Sequence, residues 1–230
     1  MKNKDKPAKL LAWVFKRLRE RFGKKTGARQ KDLISVLVLT VLSQNTNDLN
    51  RDRAFANLRQ KFPKWPDLLF ARTSEIEKAI RVGGLSRQKA ARIKEILLKI
   101  KNERGSLDLS FLCGMPMSEA QEYLLGFKGI GEKTAAVLLL FGCGMPAFPV
   151  DTHIFRVSKR LGILPQKAYE KKAHQVLGAL VAPKACYELH LNMIELGKII
   201  CRARKPKCPV CPLKAQCEYY AHTVKNERAA

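Results

Sequence analysis

The sequence predicts an all-α fold, and three observations carry that reading. Apolar residues recur at helical spacing, as in Leu10, Leu11, Val14, Phe15 and Leu18, or in Ala90, Ile93, Ile96, Leu97 and Ile100. The strict apolar-polar alternation of a half-buried strand is found nowhere. Two segments open with a serine followed three residues later by Glu or Gln, the reciprocal cap of a helix start: Ser74-Glu75-Ile76-Glu77 and Ser118-Glu119-Ala120-Gln121. With 230 residues the chain suits one compact domain or two small ones and can bury a real core.

In chain order, an amphipathic helix is expected over 7–22, followed by a basic, polar linker over 23–30. Asp32 is placed to cap a helix over 33–43. The stretch Leu33-Ile34-Ser35-Val36-Leu37-Val38-Leu39 is β-branched, but its length and the lack of a partner strand favour a wholly buried helix. Helices follow over 48–61, stopped by Pro63, then 66–71, and 74–82 from its capping box. After the turn Gly83-Gly84-Leu85-Ser86 comes a long helix over 87–103 with a basic face of Lys89, Arg92, Lys94, Lys99 and Lys101. The second capping box starts a helix leading into Gly126. Further helices are expected from Asp151 to Leu161, over 166–182, and over 185–200.

Lysine and arginine number 44 against 20 acidic residues, a net charge of +24. Such a field favours polyanions, nucleic acid first among them, over a merely solvated basic surface. An anionic membrane fits less well, because no segment pairs a basic face with an exposed apolar one. The longest apolar run, residues 135–150, is broken by Gly142, Gly144, Pro146 and Pro149 and is too short to span a bilayer. No targeting segment stands out, so a cytoplasmic, nucleoid-associated location is expected, where disulfides are not.

The stretch richest in chemistry is 126–153. Gly126-Phe127-Lys128-Gly129-Ile130-Gly131 reads as a tight hairpin whose glycines allow positive φ and close approach of another molecule. It feeds a helix expected over 132–141, whose N-terminus suits a phosphate. Lys133 sits in the first turn, and Asp151 lies eighteen residues further on. A helix N-terminus and burial both disfavour an ammonium, and a neutral lysine amine attacks a carbonyl-like carbon to form a Schiff base. A carboxylate beside it could hold the amine, shuttle a proton or stabilise developing positive charge. Plainer readings stand beside these. A Gly-x-Gly before a lysine also serves as a simple phosphate clamp, Asp151 is a good N-cap for Thr152, and His153 is an ordinary packing or capping histidine.

Lys128-Gly129-Ile130-Gly131-Glu132-Lys133-Thr134-Ala135-Ala136, followed by Pro149-Val150-Asp151-Thr152-His153-Ile154-Phe155, resembles the helix–hairpin–helix and Gly/Pro-Asp region of the endonuclease III family of DNA repair glycosylases. The resemblance runs from about residue 10 to residue 218. It implies a two-lobed fold, with a six-helix barrel domain over 31–145 and a discontinuous domain of 1–30 and 146–230 carrying an iron–sulfur cluster. It also implies Lys133 and Asp151 as catalytic residues, and Gln44 or Asn45 entering the duplex. Leu85 is then an apolar wedge, filling the gap left when a base leaves the stack. Gly129, Gly131 and His153 complete the expected DNA contacts, with a monomer acting on damaged double-stranded DNA.

Cys201, Cys208, Cys211 and Cys217 form a C-x6-C-x2-C-x5-C set within seventeen residues. Four thiolates so close together read as a metal site, and spacing alone leaves structural zinc and a [4Fe–4S] cluster both open. The family resemblance implies the cluster. The basic run Arg202-Ala203-Arg204-Lys205-Pro206-Lys207 between the first two cysteines would then be a stapled loop for phosphate contact. Cys113, Cys143 and Cys186 read as plain core residues.

The function expected is that of a bifunctional DNA glycosylase and abasic-site lyase removing oxidised pyrimidines. A mismatch uracil/thymine glycosylase is the alternative in the same class. A non-catalytic, redox-sensing DNA-binding protein is the alternative in another, though it leaves Lys133 and Asp151 together without a purpose. Adenine-specific relatives carry a glutamate where this chain has Thr40 and have a further C-terminal domain, so adenine removal is not expected.

Overall fold

The computed structural model describes residues 5–27 and 29–224. Residues 1–4, 28 and 225–230, which fall in the expected first domain, the linker and the tail, lie outside the described residues. Eleven α-helices are described: α1 (Asp5–Phe22), α2 (Leu33–Ser43), α3 (Asp48–Lys61), α4 (Asp67–Phe70), α5 (Thr73–Ile80), α6 (Ser86–Arg104), α7 (Met117–Leu125), α8 (Glu132–Val137), α9 (Thr152–Arg160), α10 (Glu170–Leu180) and α11 (Cys186–Ile199). The described residues include no strand, and none of their helices is long and apolar enough to cross a membrane. The chain divides into two compact units, Arg29–Met145 and Met1–Ala28 with Pro146–Ala230.

The Arg29–Met145 unit is built on α2. Leu33, Ile34, Val36, Leu37, Val38, Thr40, Val41 and Leu42 are all buried, so this helix has almost no wet face. That explains why a β-branched run is helical: α3, α6 and α8 all pack on it, and no strand is present to pair with. Asp32 starts it. Its Oδ1 accepts from the Ser35 amide at 2.9 Å, and Oδ2 accepts from Ser35 Oγ at 2.6 Å and Trp65 Nε1 at 3.0 Å. The Arg59 guanidinium lies 4.2 Å from the centre of the Trp65 ring and adds its charge to the same corner.

Several helix starts differ from the expected ones, each for a local reason. The Ser74 capping box does not form; α5 begins at Thr73, and it is Glu75 that reaches back to the Arg72 amide at 2.9 Å. The Ser118 box is likewise replaced by a start at Met117 behind Pro116, whose extended backbone turns the chain into the helix. The helix expected from residue 166 begins only at Glu170. The helix expected over 132–141 is α-helical only to Val137, then widens into a π-helical turn, Leu138–Cys143, closed by Gly144 at φ +67. Leu33 packs within 3.1 Å of where a Cβ on Gly142 would lie, so α2 and this turn approach closely.

Cys113 and Cys143 are a second correction. Read as free core residues, they are joined in a disulfide, Cα–Cα 4.8 Å. The local cue, an apolar context, could not reveal it, because the pairing is made by tertiary folding across 30 residues. The closed loop contains α7, the hairpin and α8. Cys186 does behave as expected: it is buried, and burial pushes its thiol up to about 11.

In the other unit α11 packs against both α9 and α1. Arg19 of α1 forks onto Glu188 of α11 through two 2.7 Å bonds, and Asn192 donates to the Gly23 carbonyl at 3.3 Å. Gly197 lets α9 come close: a Cβ there would stand 2.7 Å from the Cβ of His153.

Two outcomes follow for stability. Burial alone would raise the Asp32 carboxyl, but the bonds from Ser35 and Trp65 and the charge of Arg59 outweigh it and hold the group below its ordinary value of 3.8. A carboxyl depressed in the folded state stabilises fully above its unfolded value and loses that contribution as pH falls through the folded one. Asp32→Asn should therefore keep the cap yet flatten the stability profile below about pH 4, whereas Asp32→Ala should cost about 1 kcal/mol at neutral pH. Denaturant midpoints across pH check both. The disulfide closes a loop long enough to contribute roughly 3.5 kcal/mol by restricting the unfolded chain, so Cys113→Ser should lower stability by about that amount relative to the oxidised protein.

Candidate nucleic-acid interface and active site

The hairpin is held from beneath by its apolar members. Phe127 and Ile130 are buried, the Ile130 amide closes the turn on the Phe127 carbonyl at 3.0 Å, and Lys99 of α6 donates to the Gly126 carbonyl at 2.8 Å. The same Lys99 ammonium lies 4.7 Å from the centre of the Phe127 ring. This leaves Lys128, Gly131 and Lys133 exposed, with Gly129 half-buried. Of the hairpin glycines only Gly129 uses positive φ, at +85; Gly126 is helical and Gly131 extended, so positive φ is not what glycine supplies at those two. Gly131 instead supplies the lack of a side chain, since its Cβ would project into open space.

Lys133 stands in the first turn of α8, as expected, but its side chain is exposed. The burial expected from the sequence is therefore not found; the helix terminus remains as the local field. The neighbouring Glu132 accepts from Gln121 Nε2 at 2.6 Å, which ties α8 to α7.

Two exposed turns belong to the same unit. Gln44 and Asn45 follow the last residue of α2 and are both exposed, and Gln44 Nε2 reaches toward the Gly129 carbonyl at 3.5 Å. Asn45 has φ 51, in the left-handed region. Leu85, at the start of α6, has φ 48 and is 48% exposed. A left-handed leucine is costly on two counts, backbone and exposed apolar surface. Only three described non-glycine residues have positive φ: Asn45, Leu85 and Lys205. Each lies in a stretch expected from the sequence to contact DNA. Strain of this kind is held where the surroundings over-determine it and clusters at functional sites.

The basic face drawn for the long helix is not uniform. Arg92 lies directly over Gly129, where any Cβ would strike its guanidinium. Lys89, expected on the solvated face, is buried at 4% exposure and bonds the Leu42 and Gly83 carbonyls at 2.8 Å each. Sequence reasoning missed it, though a signal existed. Lys89 sits four residues before Ile93 and so falls on the apolar stripe of its helix.

The other unit carries Asp151. It is the N-cap of α9, its Oδ1 accepting from the Ile154 amide at 2.8 Å. The capping reading and the functional one are thus compatible, because one carboxylate oxygen does the capping. His153 is half-buried, packed on Gly197 with its Nδ1 3.2 Å from Arg156 Nη2. These contacts pack His153 between α9 and α11. Arg156 and Arg160, not singled out from the sequence, brace the cysteine loop. Arg156 donates to the carbonyls of Gly197 (2.8 Å) and Cys201 (2.9 Å), and Arg160 to those of Arg202 (2.7 Å) and Ala203 (3.1 Å).

Cys201, Cys208, Cys211 and Cys217 line one small cavity together with Arg160 and Lys214. Arg160 Nη1 approaches Cys201 Sγ at 3.4 Å. Burial pushes the thiols of Cys208, Cys211 and Cys217 up, Cys211 to about 11. Backbone amides of Leu213, Tyr219 and Tyr220 oppose that by facing the sulfurs of Cys211 and Cys217. Among the described residues no three His, Cys, Asp or Glu side chains are drawn close enough to grip a single metal ion.

Residues 38–183 match the HhH-GPD superfamily of base excision DNA repair proteins, and the chain belongs to that family. It is 40% identical over 193 residues to the "Putative DNA glycosylase At3g47830" of Arabidopsis thaliana, covering 80% of this chain and 66% of that one. It is 33% identical over 199 residues to the endonuclease III of Thermotoga maritima, covering 86% and 89%. The chain thus spans just under two thirds of the first relative. Of the longer "DNA glycosylase/AP lyase ROS1" of A. thaliana, 32% identical over 183 residues and 72% of this chain, it spans only 13%. Two solved structures of endonuclease III on DNA share the fold. A non-covalent complex has a TM-score of 0.80 at 26% identity, covering 96% and 98% of the two chains. A trapped covalent intermediate has a TM-score of 0.80 at 25% identity, covering 97% and 99%.

The two hairpin glycines should separate folding from binding. Gly129→Ala must adopt left-handed φ and displace Arg92, and should lose about 2 kcal/mol or more of stability. Gly131→Ala meets neither constraint and should lose under about 1 kcal/mol, yet weaken duplex binding by crowding the surface. Denaturant midpoints and fluorescence anisotropy on a labelled duplex check the pair.

Proposed function

We propose that this chain is a bifunctional DNA glycosylase and abasic-site lyase that removes oxidised pyrimidines from double-stranded DNA, acting as a monomer. The observation that carries the reading is Lys133, an exposed amine in the first helical turn behind an anchored glycine hairpin. It stands in a chain that matches an endonuclease III–DNA covalent intermediate over 97% of its length. A phosphate clamp alone needs the hairpin but gives no reason for a covalent complex in a structural relative.

In this reading the Gly129–Gly131 hairpin receives a backbone phosphate, and the damaged nucleotide is turned out of the stack. Leu85 and the Gln44–Asn45 turn occupy the space left in the duplex. The neutral Lys133 amine attacks the anomeric carbon; a C–N bond forms and the bond to the base breaks, the base leaving with the electron pair. The nitrogen gives up a proton. The C1′–O4′ ring bond then breaks as the nitrogen lone pair forms C=N, with O4′ taking up a proton, and the C2′ proton beside the resulting Schiff base is removed. The 3′ phosphate leaves by β-elimination, cutting the strand. Lys133 is exposed in the free protein, and bound DNA would exclude water from around it. The Asp151 oxygen not engaged in capping α9 moves protons and stabilises the cationic sugar.

The four cysteines would hold a [4Fe–4S] cluster. Four thiols around one cavity, with amide and guanidinium donors aimed at sulfur, fit that group. When bound it supplies a covalent staple for the basic loop 202–207, which Arg156 and Arg160 brace from the other side.

Strand incision on defined duplexes tests the proposal. Thymine glycol and abasic duplexes should be cut, a uracil mismatch poorly, and Lys133→Ala should lose cutting by on the order of 10³-fold or more. Release of uracil or thymine from a mismatch without cutting would favour the mismatch glycosylase instead. Cys208→Ser should lose the broad visible absorbance of an iron–sulfur protein.

A further inference from the structure

Lys89 is a buried ammonium that the chemistry above does not use. It lies in α6, 4% exposed, and two of its three donors are taken by the Leu42 and Gly83 carbonyls, each at 2.8 Å. Burying a cation is costly unless it is well bonded, and an apolar side chain of the same volume would fill this place more cheaply. The charge therefore does something that volume does not.

What it bonds is informative. Leu42 lies two residues before Gln44, and Gly83 two residues before Leu85. The single ammonium thus joins the roots of two exposed turns that are 41 residues apart in the chain, as Leu42 and Gly83 are numbered. Both turns hold a left-handed non-glycine residue, Asn45 at φ 51 and Leu85 at φ 48. Each such conformation is strained and persists only when its surroundings enforce it. Leu42 is also among the last carbonyls of α2, where a helix leaves acceptors unpaired and its dipole favours a cation. One helical turn further along α6, Arg92 lies over Gly129, and Gln44 reaches the same glycine's carbonyl. One helix therefore registers the polar turn, the leucine turn and the hairpin together.

We propose that Lys89 is a positioning residue that locks the Gln44–Asn45 turn and the Leu85 turn into one rigid pair, so that both enter a DNA duplex in a fixed relation. This rests on the reading that the protein opens duplex DNA at a damaged nucleotide. The pair matters only where there is a stack to open. A nucleotide already unstacked, as in a single strand, needs neither turn in place.

The experiment compares cutting at an abasic site in a duplex with cutting at the same site in the single strand, for wild type and Lys89→Met. Methionine keeps the volume and removes the donors. Duplex cutting should fall by on the order of 100-fold while single-strand cutting stays within about threefold. The fluorescence of 2-aminopurine opposite the site, which reports unstacking, should fall with it. Equal loss on both substrates makes Lys89 merely structural and overturns the proposal, as does unchanged duplex cutting. Failure of the wild type to cut either substrate would instead contradict the lyase reading. Hydrogen exchange without DNA tests the coupling whatever the activity: the amides of Asn45 and Leu85 should both exchange faster in Lys89→Met and in the milder Lys89→Gln. Unchanged exchange in a folded variant overturns the proposal.

Discussion

A helix with almost no wet face is the constraint on which the Arg29–Met145 unit depends. Burying eight residues of α2, with only Ser35, Leu39 and Ser43 half-buried along one side, fixes its axis, and everything around it must then satisfy its two ends. Asp32 satisfies the first with three hydrogen bonds. The buried Lys89 satisfies a carbonyl at the second. Because that second end leads straight into the exposed Gln44–Asn45 turn, packing inside the unit sets the geometry of that exposed turn. The hairpin follows the same logic, with Phe127 and Ile130 buried so that Gly131 and Lys133 can be exposed.

The unit carrying Asp151 uses a related device. Arg156 and Arg160, one turn apart on α9, spend their guanidinium donors on four backbone carbonyls at and beyond the end of α11. They give the cysteine loop a frame made of protein alone, onto which a cluster would add a further restraint. Basic residues here serve two separate ends. Some are buried or half-buried tethers of backbone, and the rest form the exposed positive field that favours a polyanion.

Much of this was legible in the chain. The buried α2, the cap at Asp32, the hairpin and its lysine, and the cysteine set all rest on local pattern. Local pattern also marked Asn45 and Leu85, whose strain was then found in the backbone. What was not legible depends on pairings across the fold. The Cys113–Cys143 bond is one such pairing, and the bracing by Arg156 and Arg160 is another. Burial of Lys89 lay between these cases: its place on the apolar stripe was visible, but a charged residue at the end of such a stripe is usually read as solvated. The capping boxes failed for a subtler reason. Ser74 and Ser118 both carry the right spacing, but Glu75 and Pro116 started the helices a residue sooner.

The central claim is that one exposed lysine at the mouth of α8 becomes covalently bound to the sugar of a damaged nucleotide. Its most direct test is to reduce the reaction with borohydride on abasic DNA, digest the stable complex and locate the modified peptide by mass. The account predicts a deoxyribose remnant on Lys133 within Glu132–Val137. A remnant on another lysine, or no covalent complex with a protein that binds the duplex, would contradict it.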